Sequence, residues 1–424
     1  MAKALIWALV SSGVRGNKAV SEHLYIHVPF CYKKCRYCDF YSEVDLSLVA
    51  AYVSAIVREI ELRAPQRIAS DQIPVKTIYF GGGTPSVLQH TDIAKILTAV
   101  HQHYPLAPSV EITLEANPGT LDRTYLNGLQ DLGINRLSLG AQAFDDKRLA
   151  WLGRIHCADQ AARAIEEAGA AGFNNLGLDL IYGLPGDTET AWQRELDRAL
   201  SFGPAHLSCY MLTIEPGTPL FHACKAGQFA PMTAEAQVDL FNLTAIYLAN
   251  AGYDQYEISN FAREDALVSR HNSAYWRMVP YTGFGPSAHS YTVKKNWKGN
   301  LQYCRSWNVS HLETYISDLS DADMHRLPIA ECEVLSPVQQ MMEYIMVGLR
   351  TAQGIDIHGF DSIQGASFHH DCSKLVARLI ENGLGGLSEN GAFFSLTRKG
   401  WMRLDSIVAC FVQELPDESY IRPV

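Results

Sequence analysis

The feature that most constrains the fold of this chain is a regular alternation of strand-like and helix-like segments from Leu24 to about Ser290. An apolar or β-branched run, a turn and a stretch with apolar residues at i, i+3 and i+4 follow one another in six units. Such alternation demands parallel strands joined by crossovers. The sequence therefore predicts an α/β fold, a partial (β/α)6 barrel with its site at the carboxyl ends of the strands. The strand-like runs are residues 24–28, 75–80, 110–114, 136–139, 177–181 and 205–212, and helix-like stretches lie at 46–63, 91–104, 158–172 and 189–202.

A smaller unit follows the barrel after about residue 330. Helix-like segments precede a hairpin centred on Asn390-Gly391, a dipeptide that favours a type I′ turn, and a last helix is predicted at 397–415. This order indicates a winged-helix-like α+β domain. We therefore expect an N-terminal extension at 1–23, a barrel with a substrate- or heme-binding extension at 24–330, and the C-terminal domain at 331–424.

Charge and hydropathy exclude several classes of partner. The formal net charge is -10 and the C-terminal unit has few basic residues, so we expect no nucleic-acid binding. The apolar run at residues 4–10 is short for a signal peptide, and no run approaches the ~18 apolar residues of a membrane span, so membrane contact would be peripheral at most. Ten cysteines in 424 residues are too few for a disulfide scaffold, which favours a reducing, cytoplasmic location.

Three of these cysteines, Cys31, Cys35 and Cys38, lie in one loop after the first predicted strand, and aromatic residues flank them. An iron–sulfur cluster normally takes four thiolates, so three thiolates leave one iron of a 4Fe–4S cluster open to an outside ligand. Two alternatives remain open at this point. One is a zinc site with His27 as the fourth ligand, and the other is a purely structural cluster.

Glycine and polar residues fall where the next predicted strands end. Because the carboxyl ends of parallel strands meet at one mouth, we expect these residues to converge beside the cysteines. Glycines let a backbone approach a ligand closely, although a tight turn would use the same residues. The carboxylate among them could instead be a buried group paired with Arg136 or Arg154. The residues are Gly81, Gly82, Gly83 and Thr84 after the second strand, Glu115 after the third, Gln142 after the fourth, and Asp179 at the end of the fifth.

The spacing Cys31-x3-Cys35-x2-Cys38 resembles the signature of the radical S-adenosylmethionine (SAM) superfamily. Further segments make the chain similar to the oxygen-independent coproporphyrinogen dehydrogenase group, and the C-terminal unit also fits that group. These segments are Tyr25 to Cys31, Gly81 to Pro85, Glu115 to Pro118, Ser138 to Phe144 and Asp179 to Pro185.

This resemblance implies a 4Fe–4S cluster on the three cysteines, SAM chelated to the open iron, and an electron donor that reduces the cluster. One electron would cleave the sulfonium to a 5′-deoxyadenosyl radical. The resemblance assigns SAM to Tyr25, Gly81, Gly82, Gly83, Thr84, Glu115, Gln142, Arg154 and Asp179.

A second set of residues resembles the heme chaperone branch of the group, known as HemW. His271-Asn-Ser-Ala-Tyr275-Trp276 is similar to its His-Asn-x-x-Tyr-Trp segment, in which the histidine is implicated in heme binding. The resemblance implies heme as bound cargo, with His271, Tyr275 and Trp276 as its candidate site. It also implies heme-accepting proteins such as respiratory enzymes as partners, and pairing of two copies through the cluster region. A hydrogen-bonded, structural His271 is the alternative, and we expect His289 to be structural.

Two enzyme hypotheses compete with the chaperone. The first is an oxygen-independent coproporphyrinogen III dehydrogenase that removes a propionate hydrogen, and the second is a radical methyltransferase or heme-degrading relative. Asp39-Phe40 stands after the third cysteine where the dehydrogenases carry Gly-Cys, and their longer N-terminal extension is missing. Both departures favour the chaperone branch.

Overall fold

The computed structural model describes residues 22–64, 73–295, 300–320 and 326–415. The apolar run at residues 4–10 and nearly all of the predicted extension at 1–23 lie outside the described residues.

Six parallel strands form the centre of the molecule and lie side by side in chain order. This arrangement confirms the predicted fold class, because each of the first five strands is followed by a helical crossover to its parallel neighbour. The strands are β1 (His23–Val28), β2 (Val75–Gly82), β3 (Leu106–Ala116), β4 (Arg136–Gln142), β5 (Leu176–Tyr182) and β6 (His206–Met211). The crossover helices are α1 (Val49–Arg63), α2 (His90–His103), α3 (Arg123–Asp131), α4 (Asp146–Leu152), α5 (Ala158–Ala171) and α6 (Glu189–Ser201).

Alternate residues of the parallel strands face two different environments. On β1, Leu24, Ile26 and Val28 are fully buried in a core shared with apolar residues of α1 such as Ile56. Tyr25 points to the other face, where its ring stacks on Tyr79 of β2. The outer face of the sheet therefore packs against the helices, and the inner face carries polar and aromatic groups.

Additional strands extend the sheet at both edges, which the sequence analysis does not predict. Short strands β7 (Asp254–Gln255) and β8 (Asn260–Ala262) continue it beyond β6. On the other side, β9 (Tyr281–Phe284) pairs in parallel with β1, and β10 (His289–Lys295), β11 (Leu301–Asn308) and β12 (Ile329–Val334) follow as antiparallel strands. The helices among these strands are α7 (Pro219–Lys225), α8 (Ala234–Asn250), α9 (Arg270–Trp276) and α10 (Leu312–Ser320).

The C-terminal domain has its own apolar core, which includes Met341, Phe368 and Phe411 and is joined by Phe241 of α8. Its strands form one small sheet in the order β13-β15-β14. The elements are α11 (Pro337–Gly348), β13 (Ile355–Asp356), α12 (Ile357–Asp361), α13 (Phe368–Glu381), β14 (Gly385–Leu387), β15 (Phe393–Leu396), α14 (Arg398–Trp401) and α15 (Leu404–Glu414).

Two local predictions in this domain are wrong. The predicted last helix is divided at Arg403, whose backbone is not helical. The break lets the Trp401 indole donate to the Leu349 carbonyl while the apolar face of α15 enters the same core. The hairpin turn is not type I′, because Gly391 has a positive φ of 67° and Asn390 does not. A hydrogen bond from Gly391 N to Ser388 O indicates a type I turn that ends in a left-handed glycine.

Within the described residues, no helix combines the length and hydropathy needed to cross a bilayer.

Candidate functional site

The loop that carries the three cysteines begins directly after β1 and is tied down at both ends. Glu43 N donates to Pro29 O at 2.6 Å and Cys31 N to Glu43 O at 2.9 Å, so the loop returns to its own start. Between these bonds, Arg36 N donates to Leu152 O at the end of α4, and the Arg36 guanidinium donates to Trp151 O. All three cysteines are free and partly exposed. The loop therefore presents thiols rather than burying them.

Two of the three thiols lie beside polar groups of the barrel mouth, and the third lies near the other two. Cys31 Sγ lies 3.3 Å from the Thr84 hydroxyl, and Arg154 Nη1 donates to Cys35 Sγ at 3.3 Å. Burial, together with the proximity of the two other thiols, raises the pKa of Cys38. The cysteine loop, the turn after β2 and the segment after α4 thus meet at one place.

A cavity of about 570 Å³ opens at this mouth. It brings together most of the residues predicted to hold the cluster and SAM, from four different strands, which is the convergence expected of parallel strand ends. The predicted residues on its wall are Cys38, Gly82, Gly83, Thr84, Glu115, Gln142, Arg154 and Asp179.

The glycines after β2 form a close contact between two loops. A Cβ on Gly83 would lie 2.7 Å from Phe30 O and 2.9 Å from Val28 O, and a Cβ on Gly82 would lie 2.6 Å from the His27 ring. Gly83 N donates to Val28 O and Thr84 N to Phe30 O, so the turn is hydrogen-bonded to the start of the cysteine loop. The glycines allow this backbone to lie against both the loop and the cavity.

Two carboxyl groups face the cavity in an environment that disfavours charge. Glu115 accepts a hydrogen bond of 2.6 Å from the Tyr79 hydroxyl, and burial raises its pKa to about 7. Asp179 accepts from the Ser138 hydroxyl, and burial raises its pKa as well. Arg136 acts electrostatically on both carboxyl groups, but burial has the larger effect, so a cationic amine that entered the cavity would find two hydrogen-bond acceptors.

Unpaired polar atoms also lie at the wall. Gln142 has a positive φ of 65°, and its Oε1 is buried with no hydrogen-bond partner among the described residues. The Nε of Arg154 is likewise without a partner there, although its Nη2 donates to Gly140 O. Buried polar atoms are normally paired, so these atoms fit a site that is completed by a polar ligand.

The arrangement suits a cluster better than a zinc ion. Both ring nitrogens of His27 are engaged, Nδ1 with the Tyr25 hydroxyl and Nε2 with Tyr41 O, so the conceivable fourth zinc ligand is already bonded. In the part of the chain that the structure describes, no three His, Cys, Asp or Glu side chains converge on a single ion position. A 4Fe–4S cluster instead takes each thiolate on a different iron.

Seven of the sequence-predicted residues do not line the cavity, namely Cys31, Cys35, Tyr25, Gly81, His271, Tyr275 and Trp276. Tyr25 and Gly81 lie beneath it, and a Cβ on Gly81 would meet the rings of Tyr79 and Tyr25. His271, at the start of α9, is fully buried. Its Nδ1 bonds to the Thr77 hydroxyl and its Nε2 to the Tyr275 hydroxyl. Trp276, at the end of α9, lies under the Arg350 guanidinium at 4.8 Å.

The sequence analysis misses several wall residues. Asn117 and Ser138 belong to motifs that it quotes, and their positions, directly after β3 and on β4, are the signal that would have found them. The end of β6 supplies Met211, Thr213 and Glu215, although no motif marks that strand end. Asp179 lies inside β5 rather than at its end, because the strand continues to Tyr182.

A partial barrel with three free cysteines in the loop after its first strand, beside a cavity lined by strand ends, defines a radical SAM protein. The Radical SAM superfamily matches residues 25–199, and the HemN C-terminal domain matches residues 335–403. Membership in this superfamily implies a 4Fe–4S cluster and SAM.

Relatives that match most of the chain show which family of radical SAM proteins it belongs to. The chain is 39% identical over 347 residues to the heme chaperone HemW of Synechocystis, which covers 80% of each chain. It is 34% identical over 389 residues to that of Mycobacterium tuberculosis, which covers 91% of this chain and 93% of the relative. The chain belongs to the HemW heme chaperone family. Its fold also matches the structure of coproporphyrinogen III oxidase (HemN) from Escherichia coli, with a TM-score of 0.75, 22% identity and coverage of 97% and 99%.

Proposed function

We propose that this protein binds heme and delivers it to heme-accepting proteins, in a fold that keeps a 4Fe–4S cluster and a SAM site. The observation that carries the proposal is the likeness to heme chaperones over 80% or more of both chains, which spans the barrel and the C-terminal domain. Asp39-Phe40, where the dehydrogenases of the group carry Gly-Cys, supports the same branch.

The residues of the mouth fit the cluster and SAM in defined roles. Cys31, Cys35 and Cys38 would each hold one iron, and the cluster would supply one electron to the sulfonium of bound SAM. Arg154, which donates to Cys35 Sγ, would stabilise thiolate charge and limit its solvation. Glu115 would accept from the methionyl amine or the ribose, and the Gly82–Gly83 backbone would lie against the methionine.

Heme ligation by His271 would require a rearrangement of α9. Both of its ring nitrogens are hydrogen-bonded, and neither has a free lone pair directed to solvent. Tyr275 and Trp276 would move with it, because they lie on the same short helix. Heme binding at this segment therefore predicts a change in the packing of α9 against Thr77 and Tyr79.

A hemin titration of the anaerobically reconstituted protein tests the proposal. We expect a stable Soret band and transfer of the heme to an apo-hemoprotein acceptor that is added afterwards. Lack of hemin binding by protein with a full cluster would contradict the proposal. Anaerobic conversion of coproporphyrinogen III by the same sample, which consumes SAM, would instead establish the dehydrogenase.

A further inference from the structure

The strands added beyond β1 continue the inner face of the barrel. Tyr281 of β9 pairs with His23 of β1, and Tyr291 of β10 pairs with Tyr281. Because side chains alternate along a strand, His289 shares this face with Tyr291. On the next strand, Trp307 is the register partner of His289. His289 is the first residue of β10, and the preceding turn lies on the end of β1 from which the cysteine loop departs.

His289 differs from His271 in accessibility. Its side chain is exposed, whereas His271 has no exposed surface. Neither ring nitrogen of His289 has a hydrogen-bond partner among the described residues, whereas both nitrogens of His271 do. A neutral imidazole with a free nitrogen is a good iron ligand.

The ring of His289 is held by stacking rather than by hydrogen bonds. It lies against the Trp307 indole with ring centroids 5.7 Å apart and an interplanar angle of 27°. Stacking covers one face of the imidazole and uses neither of its nitrogens, and the side chain as a whole is exposed. The indole also provides an aromatic surface beside the ring, of the kind that packs against a porphyrin.

The backbone fixes the position of His289. A Cβ on Gly283 would lie 2.1 Å from His289 O, and a Cβ on Gly285 would lie 2.5 Å from His27 O. Only glycine therefore allows the β9–β10 turn to lie this close to β1. Ser287, with a positive φ of 62°, and a hydrogen bond from Asn308 N to Ala288 O complete a turn that presents the histidine in one place.

The charges around His289 favour its neutral form. Burial of part of the ring lowers its pKa, and Arg305, on the same face of β11, lowers it further. Arg305 itself is paired with Glu343 of α11 and with Glu333 of β12. His27 also lies close enough to interact electrostatically, and it too is neutral because burial lowers its pKa to about 4.

We propose that His289, supported by Trp307, is an axial ligand of the iron of bound heme at the barrel mouth. The inference rests on the proposed function, since it names where the cargo would bind. Heme held there would lie on the same side of the barrel as the cysteine loop. His271 would then pack the inner face of the barrel rather than bind iron.

Hemin titrations of the wild type and of the His289→Ala, His271→Ala and His358→Ala variants test this assignment, with cluster content as the check of folding. We expect His289→Ala to weaken hemin binding at least tenfold and to lose the low-spin histidine spectrum, and added imidazole to restore that spectrum. His358, exposed on α12, is the matched control and should leave binding unchanged.

A His289→Ala variant with the wild-type spectrum and affinity would overturn the assignment. So would loss of the spectrum in His271→Ala alone, although the chaperone proposal would stand in both cases. A wild-type protein that holds its cluster and binds no hemin would overturn the proposed function together with this inference.

Discussion

At the scale of single residues, the site depends on groups whose ordinary charge is suppressed until a ligand arrives. Glu115 is the clearest case, because burial raises its pKa to about 7 and the Tyr79 hydroxyl is its hydrogen-bond donor. Arg136 acts on this carboxyl from a distance but is outweighed by burial, so the ammonium group of SAM would supply the closer positive charge. The carboxylate would then ionise as the ligand binds.

SAM affinity should therefore depend on pH. In the wild type we expect binding to strengthen between about pH 6 and about pH 8, because Glu115 must lose its proton to accept from the amine. Glu115→Gln should weaken binding about 10- to 100-fold and flatten this dependence, since a bond to a charged group contributes about 1.5–3 kcal/mol. Isothermal titration at several pH values measures both effects. Glu166→Gln, exposed on α5, is the control, and an unchanged pH profile in Glu115→Gln would contradict the role.

Glu115 should also make the stability of the SAM-free protein depend on pH. Stability should fall as pH rises, whereas SAM affinity should increase. The folded-state pKa of Glu115, about 7, lies above the ordinary glutamate value of 4.5, so its contribution to stability is lost as pH rises through about 7. We therefore expect SAM-free Glu115→Gln to have a higher thermal midpoint than the wild type at about pH 8, and little difference at about pH 5. Calorimetry without ligand checks the sign, and a lower midpoint for the variant at about pH 8 would contradict it.

At the scale of elements, the sequence predicts what periodicity and glycine placement encode. The six parallel strands and four of their six crossover helices are recovered, because buried parallel strands and longer amphipathic helices leave a clear pattern, whereas the short helices α3 and α4 are missed. Strands β9 to β12 are missed because mixed polar and aromatic residues such as Tyr291, Arg305 and Trp307 line their inner face, so no simple alternation of apolar and polar residues appears. The bonded state of His271 could not be predicted, since Thr77 is far away in the sequence.

The turn after β2 allows a test of whether the close approach at Gly83 sets the position of the cysteine loop. Gly83→Ala should displace the cysteine loop, because its Cβ would lie 2.7 Å from Phe30 O, and we expect loss of most of the cluster iron without loss of the helical content. Gly169→Ala in α5, where a Cβ meets nothing within 4 Å, should leave the iron intact and stabilise the protein by about 0.5–1 kcal/mol. Iron analysis and circular dichroism compare the two. Equal iron content in both variants would show that close approach at Gly83 is not required.

At the scale of the whole molecule, the C-terminal domain is joined to the barrel through a buried charge. Arg350 follows α11 and lies 3.5 Å from the Glu257 carboxylate, which has no exposed surface. The same guanidinium covers Trp276 of α9. Backbone bonds between Ile258 N and Arg350 O and between Ala352 N and Tyr256 O connect the same segments. The domain therefore holds the end of the helix that carries His271.

Replacement of Arg350 should weaken the contact between the C-terminal domain and the barrel. Arg350→Met leaves Glu257 buried with hydrogen bonds from Ser259 N and Asn260 only, and we expect it to lower the free energy of unfolding by about 1–3 kcal/mol. The double variant with Glu257→Gln should recover part of that loss, since it carries no unpaired charge. Chemical denaturation measures both. If Arg350→Met and the double variant had the same free energy of unfolding, an unpaired charge on Glu257 would not be the cause of the loss.

The central claim is that three thiolates hold a cluster with one iron open to SAM. Electron paramagnetic resonance of the reduced, anaerobically prepared protein, recorded before and after SAM addition, tests it most directly. We predict a 4Fe–4S signal whose g-values shift when SAM is added, and no such signal when Cys31, Cys35 and Cys38 are all replaced by alanine. A signal that SAM leaves unchanged, or one that survives the triple replacement, would contradict the claim.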